Sequence, residues 1–164
     1  LPDWIMSAAS EITAPSTQDA VQFLTADHRQ IEALLADCAR ASVKGGAPAD
    51  RTGLLGRLAV RLRAHETIEH ELFYPALKGW IDADVLERAI ADHQRIDARL
   101  ETIASSDADP SAAVAELAQW MRQHVQFEER ELFAAAAEAR DLSALGTALA
   151  LRRAKLLGGD EGVE

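Results

Sequence analysis

Four histidines and two glutamates carry the chemistry this sequence offers. His28, His65, His93 and His124 each sit in an otherwise apolar helical stripe, and two of them have a glutamate four residues on: His65 with Glu69, His124 with Glu128. At ~3.6 residues per turn, positions i and i+4 share a face about one turn apart. Imidazole beside carboxylate suits iron, manganese, cobalt or zinc, and the lack of thiolate partners argues against copper(I) or a zinc finger. A single core histidine is ordinarily just hydrogen-bonded. Six inward ionisable groups are another matter, because leaving them unpaired costs on the order of several kcal/mol each. They require either a closed hydrogen-bond network or a metal.

The elements that must position these groups follow from the apolar periodicity. The first stripe reads Val21, Leu24, His28, Ile31, Leu35, Cys38; the second Leu55, Leu58, Leu62, His65, Glu69, Leu72, Ala76; the third Leu86, Ala89, His93, Ile96, Leu100, Ile103; the fourth Val114, Leu117, Met121, His124, Glu128, Leu132. Helix one is predicted from a cap at Ser16 or Thr17 to about Ser42. Helix two runs from Asp50 to about Trp80, with Pro75 late in it. Helix three runs from Asp82 to Ser105, and helix four from Asp109 and Pro110 to Ala139. A shorter fifth helix, Leu142 to Leu157, ends at Gly158-Gly159. Ala and Leu are abundant and aromatic residues make up only 5%, which favours helix over sheet. The expected fold is all-α, an antiparallel up-down four-helix bundle. It divides into an N-terminal arm (1–17, with Trp4, Ile5 and Met6), the bundle (18–139), and a C-terminal helix and tail (140–164).

The sequence also repeats itself. Ala26-Asp27-His28-Arg29-Gln30-Ile31-Glu32 matches Ala91-Asp92-His93-Gln94-Arg95-Ile96-Asp97. His65-Glu66-Thr67-Ile68-Glu69 through Phe73-Tyr74 matches His124-Val125-Gln126-Phe127-Glu128 through Leu132-Phe133. Two hairpins each bring one histidine from their first helix and a His-x-x-x-Glu pair from their second. Together they supply four imidazoles and two carboxylates, and two carboxylates can each bridge two ions.

Asp-His-x-x-Ile followed by His-x-x-x-Glu, present twice, resembles the hemerythrin-like HHE cation-binding domain family over roughly Gln18 to Ala139. The resemblance implies a non-haem di-iron centre inside the bundle, ligated by His28, His65, Glu69, His93, His124 and Glu128 with both glutamates bridging. Oxygen-carrying hemerythrins have a further histidine where Asp97 stands and end in His-x-x-x-x-Asp, so this chain is more similar to the bacterial and regulatory branch. Asp97 and its repeat mate Glu32 could each add a carboxylate one turn from its histidine, with Glu66 beside His65 a weaker candidate; for Glu32 and Glu66 the expected reading is a salt bridge with a neighbouring arginine. His70, at i+5 from His65, is expected behind the ligands or exposed. Tyr74, at i+9 from His65, is expected to point away from them.

The expected cofactor is two non-haem Fe ions with an oxo or hydroxo bridge, Mn or Zn being possible substitutes. Dioxygen, nitric oxide or peroxide are the natural small ligands, and the expected function is to bind or sense one of them. Peroxide breakdown, support of iron–sulfur cluster repair, and iron storage or sensing share the same site. Other classes fit poorly. The formal charge of −10 and the absence of a Lys/Arg cluster disfavour nucleic acid. No apolar run approaches a membrane span. No Glu-x-x-His of the ferritin type occurs, since Thr25, Leu62, Thr67, Ile90 and Met121 stand three before the histidines. His65-Glu66 lacks the second histidine of a zinc protease at i+4. One cysteine, Cys38, forms no internal disulfide. With no basic-then-apolar leader pattern, a cytoplasmic setting is expected.

Overall fold

The computed structural model describes residues 18–43, 48–139 and 141–158; the arm with Trp4, Ile5 and Met6 and the tail from Gly159 lie outside the described residues. Helix α1 spans Ala20–Val43. It starts later than expected because Asp19 is its cap: Gln22 N–H donates to Asp19 Oδ1 at 2.8 Å and Asp19 N–H donates to Gln22 Oε1 at 3.2 Å. Two amides that the first turn leaves unpaired are thus satisfied reciprocally. Helix α2 spans Pro48–Ile68, two residues ahead of Asp50, with proline at the first position, where its missing N–H costs nothing. Helix α3 is Ala83–Ala104, α4 is Ser111–Phe127 and α5 is Ser143–Gly158. Asp109 Oδ1 accepts the Ser111 amide at 3.0 Å and so caps α4 from just outside.

Helices α2 and α4 do not run on as regular α-helix. Each passes into a π-helical segment, Glu69–Phe73 and Glu128–Phe133, before a closing turn of α-helix at Tyr74–Leu77 and Ala134–Ala139. The Tyr74 amide donates to the Glu69 carbonyl five residues back. The helix stops at Leu77 rather than Trp80, and Gly79 at φ +82° turns the chain toward α3 in a conformation that suits a residue without Cβ.

The π segments correct the expected stripe. Leu72 and Ala76 are only half-buried, while Phe73, Tyr74 and Leu77 fill the core. One extra residue per turn rotates everything after Glu69 by about 100°.

The core is split in two. One apolar cluster contains Leu24, Ile68, Phe73, Leu77, Leu86, Leu132 and Phe133; the other contains Ile31, Leu35, Cys38, Leu58, Leu62, Ile96, Leu117 and Met121. The histidine stripe positions fall between them on every helix. Helix α5 lies against the start of α1. The Ala20 amide donates to the Leu142 carbonyl at 3.1 Å, and a Cβ on Gly146 would come 2.1 Å from the Gln18 carbonyl oxygen. None of the described helices is long and apolar enough to cross a membrane.

Candidate metal centre

His28 stands on α1 between Leu24 and Ile31, and His93 on α3 between Ala89 and Ile96. His65 and His124 stand near the ends of α2 and α4. Glu69 and Glu128 are the first residues of the two π segments. All six side chains are buried, five of them with no exposure at all. They form two groups of four, His28, His65, Glu69, Glu128 and Glu69, His93, His124, Glu128, each with its potential ligand atoms within 4.8 Å of one another. Both glutamates belong to both groups.

Each glutamate spans the two hairpins. Glu128 Oε2 lies 3.2 Å from His28 Nε2 and 3.3 Å from His124 Nε2. Glu69 Oε2 lies 3.4 Å from His65 Nε2 and 3.3 Å from His93 Nε2. Across the layer His93 Nε2 and His124 Nε2 approach to 2.8 Å. Yet His28 Nε2, His65 Nε2, Glu69 Oε1 and Glu128 Oε2 are buried without a hydrogen bond, which in a protein interior is costly. A closed polar network would satisfy these atoms. Cations between them would satisfy them too, and the donor set of imidazole and carboxylate fits divalent or trivalent metal.

The outer nitrogens are held from behind. His65 Nδ1 is 3.1 Å from Asp27 Oδ2, His28 Nδ1 is 3.1 Å from Glu129 Oε1, and His93 Nδ1 is 3.0 Å from His70 Nε2. His124 Nδ1 faces Asp92 Oδ2 at 3.8 Å, beyond direct hydrogen-bond reach. Such partners fix which ring nitrogen stays free to ligate. The two halves differ here, because repeat mates His70 and Glu129 present an imidazole to one ring and a carboxylate to the other. Tyr74 and its repeat mate Phe133 differ likewise. Tyr74 donates its hydroxyl to Glu128 Oε1 at 2.6 Å and sits 3.2 Å from Glu69 Oε2. Phe133 stacks on His28, centroids 5.4 Å apart and planes 6° from parallel.

The expectation that Tyr74 faces away is therefore wrong, and the reason is the π segment. Nine α-helical steps from His65 give a half-turn offset, and the inserted residue takes about 100° off it. His70 lies where expected, exposed and behind His93. Asp97 is not brought into the layer. It is half-buried and hydrogen-bonded to Glu66, outside both groups of four. Glu66 is no surface salt-bridge partner either: it is 8% exposed, and burial with the Asp97 carboxylate beside it pushes its pKa up to about 9. Glu32 does pair with Arg29. Glu66 and His70 line a surface depression with Arg63, Thr67, Glu71 and Asp97.

Charge in the layer is unevenly shared. Burial and the neighbouring Glu128 raise the Glu69 carboxyl well above its ordinary value. Burial opposes ionisation of Glu128 too, but His124 and His28 outweigh it and hold that carboxyl low. His124, despite burial, is raised to about 9 by Glu128 and Asp92. Asp27 is held down to about 2, its burial overcome by His65, Arg153 and Arg61.

Asp27, Asp92 and Glu129 are site residues that sequence reasoning missed, and Tyr74 is one that it placed on the wrong side. The Asp-His dipeptide at 27–28 and 92–93 was the available signal for the two aspartates. Each lies one residue before a ligand candidate and faces the histidine of the neighbouring helix, Asp27 at 3.1 Å and Asp92 at 3.8 Å. No comparable signal marks Glu129 or Tyr74 without knowledge of the π segments.

A family model described as "Hemerythrin HHE cation binding domain" matches residues 19–136. Among solved structures, the chain is similar to a hemerythrin HHE cation binding domain-containing protein from Mycobacterium kansasii. The two share 23% identity over 87% of this chain and 89% of that one, with a TM-score of 0.74. At that identity the likeness speaks for the fold. A search of curated proteins gives no match.

Proposed function

This chain belongs to the hemerythrin HHE cation-binding domain family, and we propose that its polar layer holds two non-haem iron ions with which it binds or senses dioxygen, nitric oxide or peroxide. His28 and His65 would hold one ion, His93 and His124 the other, with Glu69 and Glu128 shared. The observation that supports this best is the position of the glutamates: one oxygen of each stands between an imidazole of the first hairpin and one of the second. Bound iron would supply reversible redox chemistry and open coordination positions for a small ligand. The protein's own part is to orient and exclude. Asp27, Glu129 and His70 hold three imidazoles with Nε2 inward, Tyr74 steadies both carboxylates, and the two apolar clusters keep bulk water out. The surface depression lined by Glu66 and His70 lies on the outer side of the layer, where His70 backs His93.

Metal analysis of protein purified without added metal, together with its optical spectrum, tests this. The expected result is about two iron ions per chain and a spectrum that changes with dioxygen, nitric oxide or peroxide. Rapid oxygen evolution from peroxide would favour the catalytic reading. One ion per chain at saturation, or none, would overturn the dinuclear assignment.

A further inference from the structure

The fifth helix is tied to the polar layer at two places, by consecutive arginines. Arg153 Nη1 donates to Asp27 Oδ1 at 2.8 Å, and the other oxygen of that carboxylate faces His65 Nδ1 at 3.1 Å. Arg152 makes a two-pronged pair with Glu71, 2.7 and 3.0 Å, in the π segment that begins at Glu69. Asp27 is fully buried, and two guanidiniums meet it there. One of these, Arg61 at 2.7 Å, comes from the same helix as His65. The other comes from α5, outside the four-helix bundle. Among the described residues, the repeat mate Asp92 pairs with none on α5; its nearby cations are Arg95 and Arg88 from its own helix, and it stands farther from its histidine.

We propose that Arg153 is a positioning residue through which the C-terminal helix and the ion on the His28/His65 half stabilise each other. This rests on the metal-binding reading of the layer. With Arg153 seated on Oδ1, Asp27 is fixed with Oδ2 facing His65 Nδ1, and the ring is held with Nε2 inward. Linkage is reciprocal: an ion that favours this arrangement of His65 and Asp27 favours docked α5 by the same factor. Gly146 makes the docking sensitive, since only a residue without Cβ fits against Gln18 and Asp19.

The test is an anaerobic Fe(II) titration of the full chain against a competing chelator, alongside amide hydrogen exchange of α5. Arg153→Gln should weaken one of the two binding equivalents about tenfold and leave the other unchanged; Arg153→Lys should recover part of the loss. Gly146→Ala lifts α5 without altering any charge and should weaken the same equivalent. In the wild type, Fe(II) should slow exchange along α5, and in Arg153→Gln it should not. Loading of Arg153→Gln that matches wild type, or that falls equally at both equivalents, would overturn the coupling alone. A wild type that binds no metal would overturn the functional reading and the coupling with it.

Discussion

Asp27 does at the scale of one residue what the layer needs from behind. It is a buried carboxylate whose oxygens are divided between a histidine and two guanidiniums, and its pKa lies near 2 against an ordinary 3.8. A carboxyl depressed on folding stabilises the fold above its unfolded value and stops doing so as pH falls through its folded value. Urea unfolding should therefore show Asp27→Asn destabilised by about 2 kcal/mol at neutral pH, with the gap to wild type closing between about pH 4 and pH 2. The same variant should lose metal affinity by about 10–100-fold, as supporting partners of ligating histidines commonly do. The shared glutamates should matter more. Glu69→Ala or Glu128→Ala should empty the site in a chelator titration, whereas His70→Ala, which removes only the support behind His93, should weaken loading by about tenfold. Emptying by His70→Ala with retention by Glu69→Ala would reverse the assigned roles.

At the scale of the element, the π segments decide what meets the glutamates. Each begins at a shared glutamate and adds one residue to the turn, which brings Tyr74 onto the carboxylates and Phe133 onto His28. Tyr74 is the only tyrosine, so its ionisation can be followed by ultraviolet absorbance without interference from another phenol. Burial, then Glu69 and Glu128, raise its pKa well above the ordinary value. Phenolate should appear only well above pH 10 and together with unfolding. Deleting the exposed Glu71 removes the inserted residue and leaves Tyr74 eight α-helical steps from His65, on the same face as in the π-helical form, so its titration should stay well above pH 10. A deletion variant whose tyrosine titrates near pH 10 would show that Tyr74 is not placed by this change of helical phase.

At the scale of the whole molecule, two apolar clusters enclose a charged layer, and metal binding is expected to be folding energy. Four buried ligand atoms lack hydrogen bonds. A ligand that binds the folded state at about 100 times its Kd adds about 2.7 kcal/mol, or roughly 5–10 °C in a chain of this size. Anaerobic Fe(II) should raise Tm by about that amount, and should not do so in the His28→Ala/His93→Ala double variant. Ligating histidines must be neutral. His124, raised to about 9 by Glu128 against the effect of burial, holds a proton at neutral pH in the metal-free layer, so loading should release it. The Tm gain should then grow from neutral pH toward pH 9 and vanish on acidification below about pH 6. Equal melting temperatures with and without metal would mean that the layer satisfies itself.

The helical class, the core stripes as far as Glu69 and Glu128, and the six ionisable positions within them are legible in the sequence alone. Periodicity is local: His93 between Ala89 and Ile96 declares its face through neighbours within two turns, and the two-fold repeat carries that phase from one hairpin to the other. Tertiary structure alone decided what surrounds those six. The π segments at Glu69 and Glu128 are a change of one residue in helical phase, which no propensity of Glu-His-Glu-Leu-Phe announces, and they moved Tyr74 from the far side of the helix to the centre. Arg153 lies 126 positions from Asp27, and a long polar side chain on an amphipathic helix is equally at home in water until packing, here the fit of Gly146 against α1, places it over a buried carboxylate. Asp97 shows the converse. Its spacing from His93 allowed a place in the layer, but Glu66 from the facing helix holds it outside, and only the packing of α2 against α3 fixes that pairing.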